Sequence, residues 1–286
     1  MRIAVLGSNG QLGRELLQEL SGNELFPLTR AEFDVTDRDR ARSLLSELRP
    51  EMIVNTTAFH RVDDCETKAE LAYDVNVLSV FNLVRIANDI DATLVQFSSD
   101  YVFDGASRIP YNEDSVALPL SIYGNSRLAG ELLVRTMARR FFLIRTCGLY
   151  GRAGSRGKTG GNFVEIMLAK AKNGDTIRVV NDQTLTPTAT LDLARQLSVL
   201  LKTSEYGLYH ATCSGECTWF EFAAAIFEIA GVKANLSPTT SALYKTPAKR
   251  PQYSVLENAR LQRLGLNQMR HWRDALTEYL DARTSS

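Results

Sequence analysis

Residues 3–13 read Ile3-Ala-Val-Leu-Gly7-Ser-Asn-Gly10-Gln-Leu-Gly13 and decide how the first half of the chain folds. A short apolar run leads into three glycines with the spacing G-x-x-G-x-x-G, and leucines at helical intervals follow. This order predicts a strand, a tight turn and a helix whose N-terminus can receive a pyrophosphate, because glycines let a ligand approach the backbone. The expected dinucleotide-binding residues of this turn are Gly7, Asn9, Gly10, Gln11 and Leu12.

The rest of the first half alternates short apolar runs with helical patterns, which predicts βαβ units and a doubly wound parallel sheet. We therefore expect an α/β fold with a Rossmann-like domain over residues 1–150. The predicted strands after the first are Glu24–Thr29, Met52–Asn55, Thr93–Phe97 and Phe141–Arg145. The predicted helices after the first are Asp37–Arg49, Val75–Ile90 and Leu128–Ala138.

The rhythm changes after residue 150, where a glycine-rich basic segment spans residues 151–161. We expect residues 151–286 to form mainly a smaller α/β substrate-binding region, with some segments returning to the Rossmann domain. Gly157-Lys158-Thr159 resembles the end of a Walker A loop, but Arg152 stands where that loop needs glycine. The cations of this segment therefore either meet a diphosphate or are solvated. The predicted strands are Thr176–Val180 and Gly207–Ala211, and the predicted helices are Phe163–Lys172, Leu191–Leu201, Trp219–Ala230 and His271–Tyr279.

The composition excludes several classes of protein. The 286 residues include 33 basic and 33 acidic side chains, so the chain has no bulk field to attract nucleic acid. The apolar run at the N-terminus is too short for a signal peptide and no later run would span a membrane, so we expect a cytoplasmic protein. Four cysteines in so long a chain predict neither a disulfide framework nor a zinc site, and we expect no bound metal.

The end of the second predicted strand bears on the choice of cofactor. In a dinucleotide fold this position faces the adenine ribose, where an acidic residue favours NAD and a basic one accepts the extra phosphate of NADP. Arg30 stands here, so we expect NADP, with NAD as the alternative and a solvated surface arginine as the other interpretation. Asp34 and Val35 lie just beyond and are expected to border the adenine.

Two further stretches carry groups suited to reducing a carbonyl. Ser99 follows the fourth strand, where its hydroxyl can hold a substrate oxygen or only cap a turn. Tyr123 and Arg127 are four residues apart in a helical stretch and therefore share one helix face. A neighbouring cation lowers the pKa of a phenol from about 10 and makes it a usable proton donor.

Taken in order, these motifs resemble the dTDP-4-dehydrorhamnose reductase family of the extended short-chain dehydrogenase/reductase superfamily. The similarity spans nearly the whole chain, and its ordered combination is more specific than any single piece. Besides the glycine turn it rests on Val54-Asn-Thr-Thr-Ala58, Val62-Asp-Asp-Cys-Glu66, Val75-Asn76, Ser99-Asp-Tyr-Val-Phe103, Tyr123-Gly-Asn-Ser-Arg-Leu-Ala-Gly-Glu131, Leu149-Tyr-Gly151, Asn162-Phe163, Asn181-Asp-Gln183, Pro187-Thr188 and Arg250-Pro251.

The resemblance implies a nicotinamide cofactor and reduction of the C4 ketone of a dTDP-linked 4-keto-6-deoxysugar, in dTDP-rhamnose biosynthesis. It implies Tyr123 as proton donor, Ser99 as its hydrogen-bonding partner and Arg127 as the cation at the nicotinamide ribose. It further places Ala58, Phe59 and His60 near the cofactor, and Asp100 and Tyr101 near the sugar. Arg250 is a candidate for the substrate diphosphate.

The sequence departs from the family pattern at two positions. The Tyr-x-x-x-Lys motif of the family ends here in Arg127, which keeps the charge but does not give up a proton. The family's Trp-Leu-Tyr-Gly segment reads Gly148-Leu-Tyr-Gly151. These departures motivate a second hypothesis, a catalytically weak NAD(P)-binding regulatory subunit that resembles the β subunit of methionine adenosyltransferase.

A nucleotide-sugar epimerase or dehydratase is a third hypothesis. The resemblance also allows a homodimer, in which Glu15 stands where the family can place a magnesium ligand, but one carboxylate is not a site.

Overall fold

The computed structural model describes residues 1–152 and 161–284 of the chain. In its first half, strands and helices alternate almost without interruption. A π-helical turn, Asp74–Leu78, precedes α5, and a 3₁₀ turn, Asp100–Val102, follows β4. The elements of this half are β1 (Arg2–Leu6), α1 (Gln11–Glu19), β2 (Glu24–Leu28), α2 (Arg38–Leu48), β3 (Met52–Asn55), α3 (Val62–Thr67), α4 (Ala69–Tyr73), α5 (Ser79–Asp89), β4 (Thr93–Ser99), α6 (Ile122–Met137) and β5 (Phe141–Thr146).

The second half has shorter strands and no regular alternation. Its elements are β6 (Leu149–Tyr150), α7 (Phe163–Lys172), β7 (Thr176–Val180), β8 (Thr184–Leu185), β9 (Thr188–Ala189), α8 (Thr190–Leu200), β10 (Gly207–His210), β11 (Cys217–Thr218), α9 (Trp219–Ile229), β12 (Asn235–Thr239), α10 (Ala259–Arg263) and α11 (Trp272–Thr284).

Six parallel strands form the central sheet of the described residues, in the order β10-β5-β4-β3-β1-β2. The order reverses between β1 and β3, which is the switch point of a doubly wound sheet. Because all the strands are parallel, the loops after β1, β3, β4 and β5 meet at one edge. The predicted Rossmann-like α/β fold is confirmed. A domain boundary at about residue 150 stays a prediction, and β10 and α8 from the second half pack onto the sheet and α1.

The core explains why the inner strands read as apolar runs. One cluster packs on each face of the sheet, so β1, β3, β4 and β5 are buried on both sides. A third cluster lies under α7, α9 and α11 and is built around aromatic residues such as Phe222 and Trp272. This third core supports the part of the chain that faces the carboxyl edge of the sheet.

Two details of the fold bear on the sequence predictions. β2 ends at Leu28 instead of Thr29, and Pro27 is tolerated within it because β2 lies at the edge of the sheet. α6 begins at Ile122, where the Ser121 hydroxyl accepts a hydrogen bond from the Gly124 N–H at 3.2 Å. Tyr123 therefore lies in the first turn of α6, with Arg127 one turn later. No helix of the described residues is long and apolar enough to cross a membrane.

Candidate active site

A cavity of about 420 Å³ opens at the carboxyl edge of the sheet, between the sheet and the second half of the chain. It gathers residues that are far apart in the sequence, as the parallel topology requires. The sequence-predicted residues that line it are Gly7, Asn9, Gly10, Gln11, Leu12, Ala58, His60, Ser99, Asp100, Tyr101, Tyr123 and Arg127. Phe59, Arg30, Asp34, Val35 and Arg250 do not line it.

The glycine turn shows why its glycines are needed. Gly7 has a φ of +74°, in the left-handed region that glycine adopts without strain. A Cβ on Gly13 would lie 2.5 Å from the Gly7 carbonyl oxygen, so only glycine lets α1 start this close to β1. Gly10 has no side chain to cap α1, which leaves the first N–H groups of the helix at the cavity. This arrangement fits the pyrophosphate of a dinucleotide.

Tyr123 lies between a hydroxyl and a cation. Burial raises the pKa of its phenol, whereas the charge of Arg127 and the hydrogen-bonding contact with the Ser99 hydroxyl act to lower that pKa. Its ring packs edge-on against Tyr101, with the ring centroids 5.7 Å apart. A phenol with such neighbours can donate a proton to a carbonyl oxygen in the cavity.

Arg127 is held through the two terminal nitrogens of its side chain. Its side chain is 5% exposed, its Nη2 donates to the Phe97 carbonyl, and its Nη1 donates to Asn76 Oδ1 at 3.3 Å. Its Nε finds no hydrogen-bond acceptor within the described part of the chain, although it is buried at the cavity. Buried donors are normally satisfied, so this one fits a ligand oxygen such as a ribose hydroxyl.

Asn76 holds this cation and the loop after β3 together, although the sequence analysis gave it no role of its own. It lies in the π-helical turn before α5, a type of turn that is frequent at functional sites. Its Oδ1 also accepts the Phe59 N–H at 2.9 Å, and its Nδ2 donates to the Phe59 carbonyl at 3.1 Å. Phe59 is thus tied to Asn76 through its backbone.

Asp100 brings a buried carboxyl group to the cavity. It is 3% exposed, its Oδ1 accepts from the Ser99 hydroxyl at 2.8 Å and its Oδ2 accepts from the Cys147 thiol at 3.0 Å. The Ser254 hydroxyl also bonds to it, and burial raises the pKa of the carboxyl group. The sequence analysis missed Cys147 and Ser254, which approach Asp100 only through the tertiary fold.

The expected NADP determinant lies outside the cavity. Arg30 is 85% exposed in its side chain and forms an ion pair with Asp34 at 3.3 Å. Both line a shallow surface depression. This depression lies next to the glycine turn, because Leu28 also lines it and the Leu28 carbonyl accepts the Gly7 N–H at 2.8 Å. Val35 is 6% exposed and packs in the core, so its side chain does not reach this surface.

The second half of the chain closes the cavity with aromatic residues. The rings of Phe163 and Trp219 line it, with centroids 4.6 Å apart. Arg250 does not line the cavity; it binds Asp63 through two nitrogens, at 3.1 and 2.7 Å, and is in hydrogen-bonding contact with Tyr101. Gly148 has a φ of +56°, and a Cβ there would lie 3.0 Å from Leu185. A tryptophan would therefore be strained at this position.

The basic segment is described only at its ends. Arg152 forms an ion pair with Glu15 on α1, with Nη2 and Oε2 2.8 Å apart. Glu15, which the resemblance associated with an interface metal, is thus paired with an arginine. Arg156, Lys158 and Thr159 lie outside the described residues, so the expectation that the cations of this segment either meet a diphosphate or are solvated stays a prediction.

Comparison with known proteins assigns the chain to a family. A family model described as the RmlD substrate binding domain matches residues 1–285. The chain belongs to this RmlD family. The family resemblance inferred from the sequence is therefore confirmed.

Relatives of known name cover nearly the same length. A dTDP-4-dehydrorhamnose reductase of Streptomyces griseus is 39% identical, over 98% of this chain and 93% of that protein. The spore coat polysaccharide biosynthesis protein SpsK of Bacillus subtilis is 38% identical, over 100% of this chain and 99% of that protein. The name of the Streptomyces griseus protein agrees with the predicted enzyme class, an oxidoreductase.

Solved structures of this RmlD family superpose closely. A dTDP-4-dehydrorhamnose reductase from Clostridium acetobutylicum gives a TM-score of 0.94 at 37% identity, covering 99% of this chain and 100% of that chain. The enzyme from Bacillus anthracis, solved in complex with NADP, gives 0.92 at 35% identity, covering 98% and 99%. The central sheet and the region that closes its carboxyl edge thus belong to one shared architecture.

Proposed function

We propose that this RmlD-family chain uses NADPH to reduce the C4 ketone of a dTDP-linked 4-keto-6-deoxysugar, as a dTDP-4-dehydrorhamnose reductase. One observation carries the proposal: Tyr123, Ser99 and Arg127 meet in the same cavity as the glycine turn. The names of the relatives and the NADP in the Bacillus anthracis structure support the substrate class and the cofactor.

The residues present fit a nicotinamide dinucleotide. The turn around Gly10 would hold its pyrophosphate at the N-terminus of α1, and the unpartnered Nε of Arg127 would bond the nicotinamide ribose. Arg30 would meet the 2′-phosphate of NADP, for which it must leave or share Asp34. When bound, the reduced nicotinamide supplies the hydride.

The side chains of the cavity then bind and protonate the carbonyl oxygen of the sugar. Ser99 and Tyr123 hold that oxygen, and Tyr123 gives it the proton that completes the alcohol. The guanidinium of Arg127 stabilises the phenolate left behind, because its positive charge is fixed beside Tyr123 by the Phe97 carbonyl and Asn76. Asp100 and Tyr101 border the sugar from the end of β4.

The test is the loss of NADPH absorbance with dTDP-4-dehydrorhamnose as substrate. We expect turnover by the wild type, and a kcat about 10²–10⁴-fold lower for Tyr123→Phe, since that is the usual contribution of acid catalysis. NADPH binding should persist in this variant. Tyr244→Phe is the matched control, because Tyr244 is 57% exposed and does not line the cavity.

Each rival hypothesis predicts another result. NADPH binding without any oxidation, together with copurification of a stable partner, would replace the reductase with the regulatory subunit. A tightly retained nicotinamide and no net oxidation of added NADPH would instead indicate an epimerase or dehydratase.

A further inference from the structure

The proposed reaction leaves Tyr123 without its proton after each turnover. A lysine four residues later could pass on a proton of its own, but an arginine keeps its protons throughout the working pH range. Arg127 is moreover bound to the Phe97 carbonyl and Asn76. The proton that restores the phenol must therefore come from another group or from water.

We propose that Asp100 reloads Tyr123 with a proton through the hydroxyl of Ser99, an inference that rests on the proposed function. The three groups form a chain: Asp100 Oδ1 lies 2.8 Å from Ser99 Oγ, and Ser99 is in hydrogen-bonding contact with Tyr123. A serine hydroxyl donates one hydrogen and accepts others, so it can receive a proton on one side while it gives one on the other.

The surroundings of Asp100 favour its protonated form. Its Oδ2 accepts from the Cys147 thiol at 3.0 Å, and the Ser254 hydroxyl and the Asp100 backbone N–H also bond to the carboxyl group. None of these donors brings a positive charge, and Asp100 forms no ion pair within residues 1–152 and 161–284. Burial of the carboxyl group raises its pKa, and the pKa of the Cys147 thiol is raised as well, so the thiol stays a neutral donor.

The other titratable groups facing Asp100 are the phenols of Tyr101 and Tyr123, which are neutral before the reaction. The nearest cations act on those phenols: Arg250 on Tyr101 and Arg127 on Tyr123. Because the thiol donates to Oδ2, the proton of the neutral carboxyl group belongs on Oδ1, the oxygen 2.8 Å from Ser99 Oγ. In this form Oδ1 donates to Ser99 Oγ and the rotatable hydroxyl of Ser99 turns its own hydrogen to Tyr123, whereas Ser99 donates to Oδ1 when Asp100 is ionised.

The carbonyl carbon gains a hydride and is reduced, and the O–H bond of Tyr123 breaks as its proton passes to the carbonyl oxygen. The Ser99 proton then moves to the phenolate, and the Asp100 proton moves to the Ser99 oxygen. Asp100 remains as a carboxylate and takes a proton from water when the product leaves the open cavity.

Asp100→Asn separates the first turnover from the later ones. Asparagine keeps the shape and can accept the hydrogen bond from Ser99, but it has no proton to release. We expect a rapid burst of one equivalent of NADPH oxidised per site, followed by a steady-state rate about 10²-fold below that of the wild type. A first turnover slowed as much as the steady state would indicate a structural role and overturn the proposal, as would an unchanged steady-state rate.

Two further variants sharpen the experiment. Asp104→Asn is the matched control, since Asp104 accepts a hydrogen bond from the Tyr111 hydroxyl at 2.9 Å and does not line the cavity. It should show neither the burst nor the slow phase. Adding Arg127→Lys to Asp100→Asn restores a side chain that can pass on a proton, so the steady-state rate should recover. A double variant no faster than Asp100→Asn would contradict the relay.

A measurement without cofactor tests the proton itself. Infrared spectra of the wild type at neutral pH should contain the carbonyl stretch of a protonated, buried carboxyl group that Asp100→Asn lacks. Its absence from the wild type would overturn the proposal even if the variant fails to fold. A wild type that does not oxidise NADPH with any 4-keto nucleotide sugar would instead overturn the proposed function. The infrared band of Asp100 does not depend on turnover and would still be present.

Discussion

Glu131 and Arg145 form an ion pair that is almost completely removed from solvent. Their side chains are 1% and 2% exposed, and two hydrogen bonds of 2.9 and 2.7 Å join them. Glu131 lies one turn after Arg127 on α6, and Arg145 lies in β5, next to β4. The pair therefore fastens the helix that carries Tyr123 to the sheet that carries Ser99.

Removing one partner should be costly, because it leaves an uncompensated charge in the interior. We expect Glu131→Gln to lower the free energy of unfolding by about 3 kcal/mol in urea titrations. The exposed pair of Arg42 and Asp89, 2.7 Å apart, provides the comparison, and Asp89→Asn should cost less than about 1 kcal/mol. Equal losses from the two variants would show that burial does not set the strength of the Glu131 pair.

Gly13→Ala should damage the dinucleotide site and the fold together. The added Cβ would lie 2.5 Å from the Gly7 carbonyl oxygen and 2.8 Å from Ser8 Cα, so backbone atoms must move. We expect a loss of about 1–3 kcal/mol in the free energy of unfolding, and an NADPH Kd at least about tenfold higher by fluorescence titration. Gly22→Ala is the control, since nothing lies within 4 Å of its Cβ position, and it should leave NADPH affinity unchanged.

Local patterns predicted the glycine turn and the pairing of Tyr123 with Arg127. A strand, three glycines and a helix are consecutive in the chain, and residues four apart share a helix face whatever the helix packs against. Parallel topology then brought Ser99 to the same edge, since the ends of parallel strands meet. These features needed no knowledge of long-range contacts.

The contacts around Asp100 could not be found in this way. Cys147 and Ser254 are 47 and 154 residues further along the chain, and only the packing of the second half on the sheet brings them to it. For Val35, position in the sequence did not predict which way the side chain faces. It follows Asp34 directly, but its side chain packs in the core, because neighbouring residues of an irregular segment need not face the same way.

Arg30→Ala tests the predicted preference for NADP. If Arg30 binds the 2′-phosphate, the NADPH Kd should rise about tenfold or more, since a charge-assisted hydrogen bond contributes about 1.5–3 kcal/mol. The NADH Kd should stay the same. Arg42→Ala, which removes another exposed arginine paired with an aspartate, should change neither value. Equal weakening of both cofactors would indicate that Arg30 supports the loop rather than the phosphate.

His210 should make the stability of the fold depend on pH. It is fully buried beside Arg145, its Nδ1 lies 3.0 Å from the Tyr111 carbonyl oxygen, and burial followed by the charge of Arg145 lowers the pKa of its imidazole to about 3. Between this value and about 6.5, the unfolded chain binds a proton that the folded chain does not. Stability from this group is therefore complete above about pH 6.5 and falls as the pH is lowered, by up to about 1.4 kcal/mol per unit.

Comparison with His210→Gln isolates this contribution, because glutamine does not titrate. In urea titrations, the wild type should lose about 2 kcal/mol more than the variant between pH 7 and pH 5. His271→Gln is the control, since it removes an imidazole from an exposed position, and it should behave like the wild type. Parallel losses for the wild type and His210→Gln would mean that a proton reaches the His210 imidazole in the folded state.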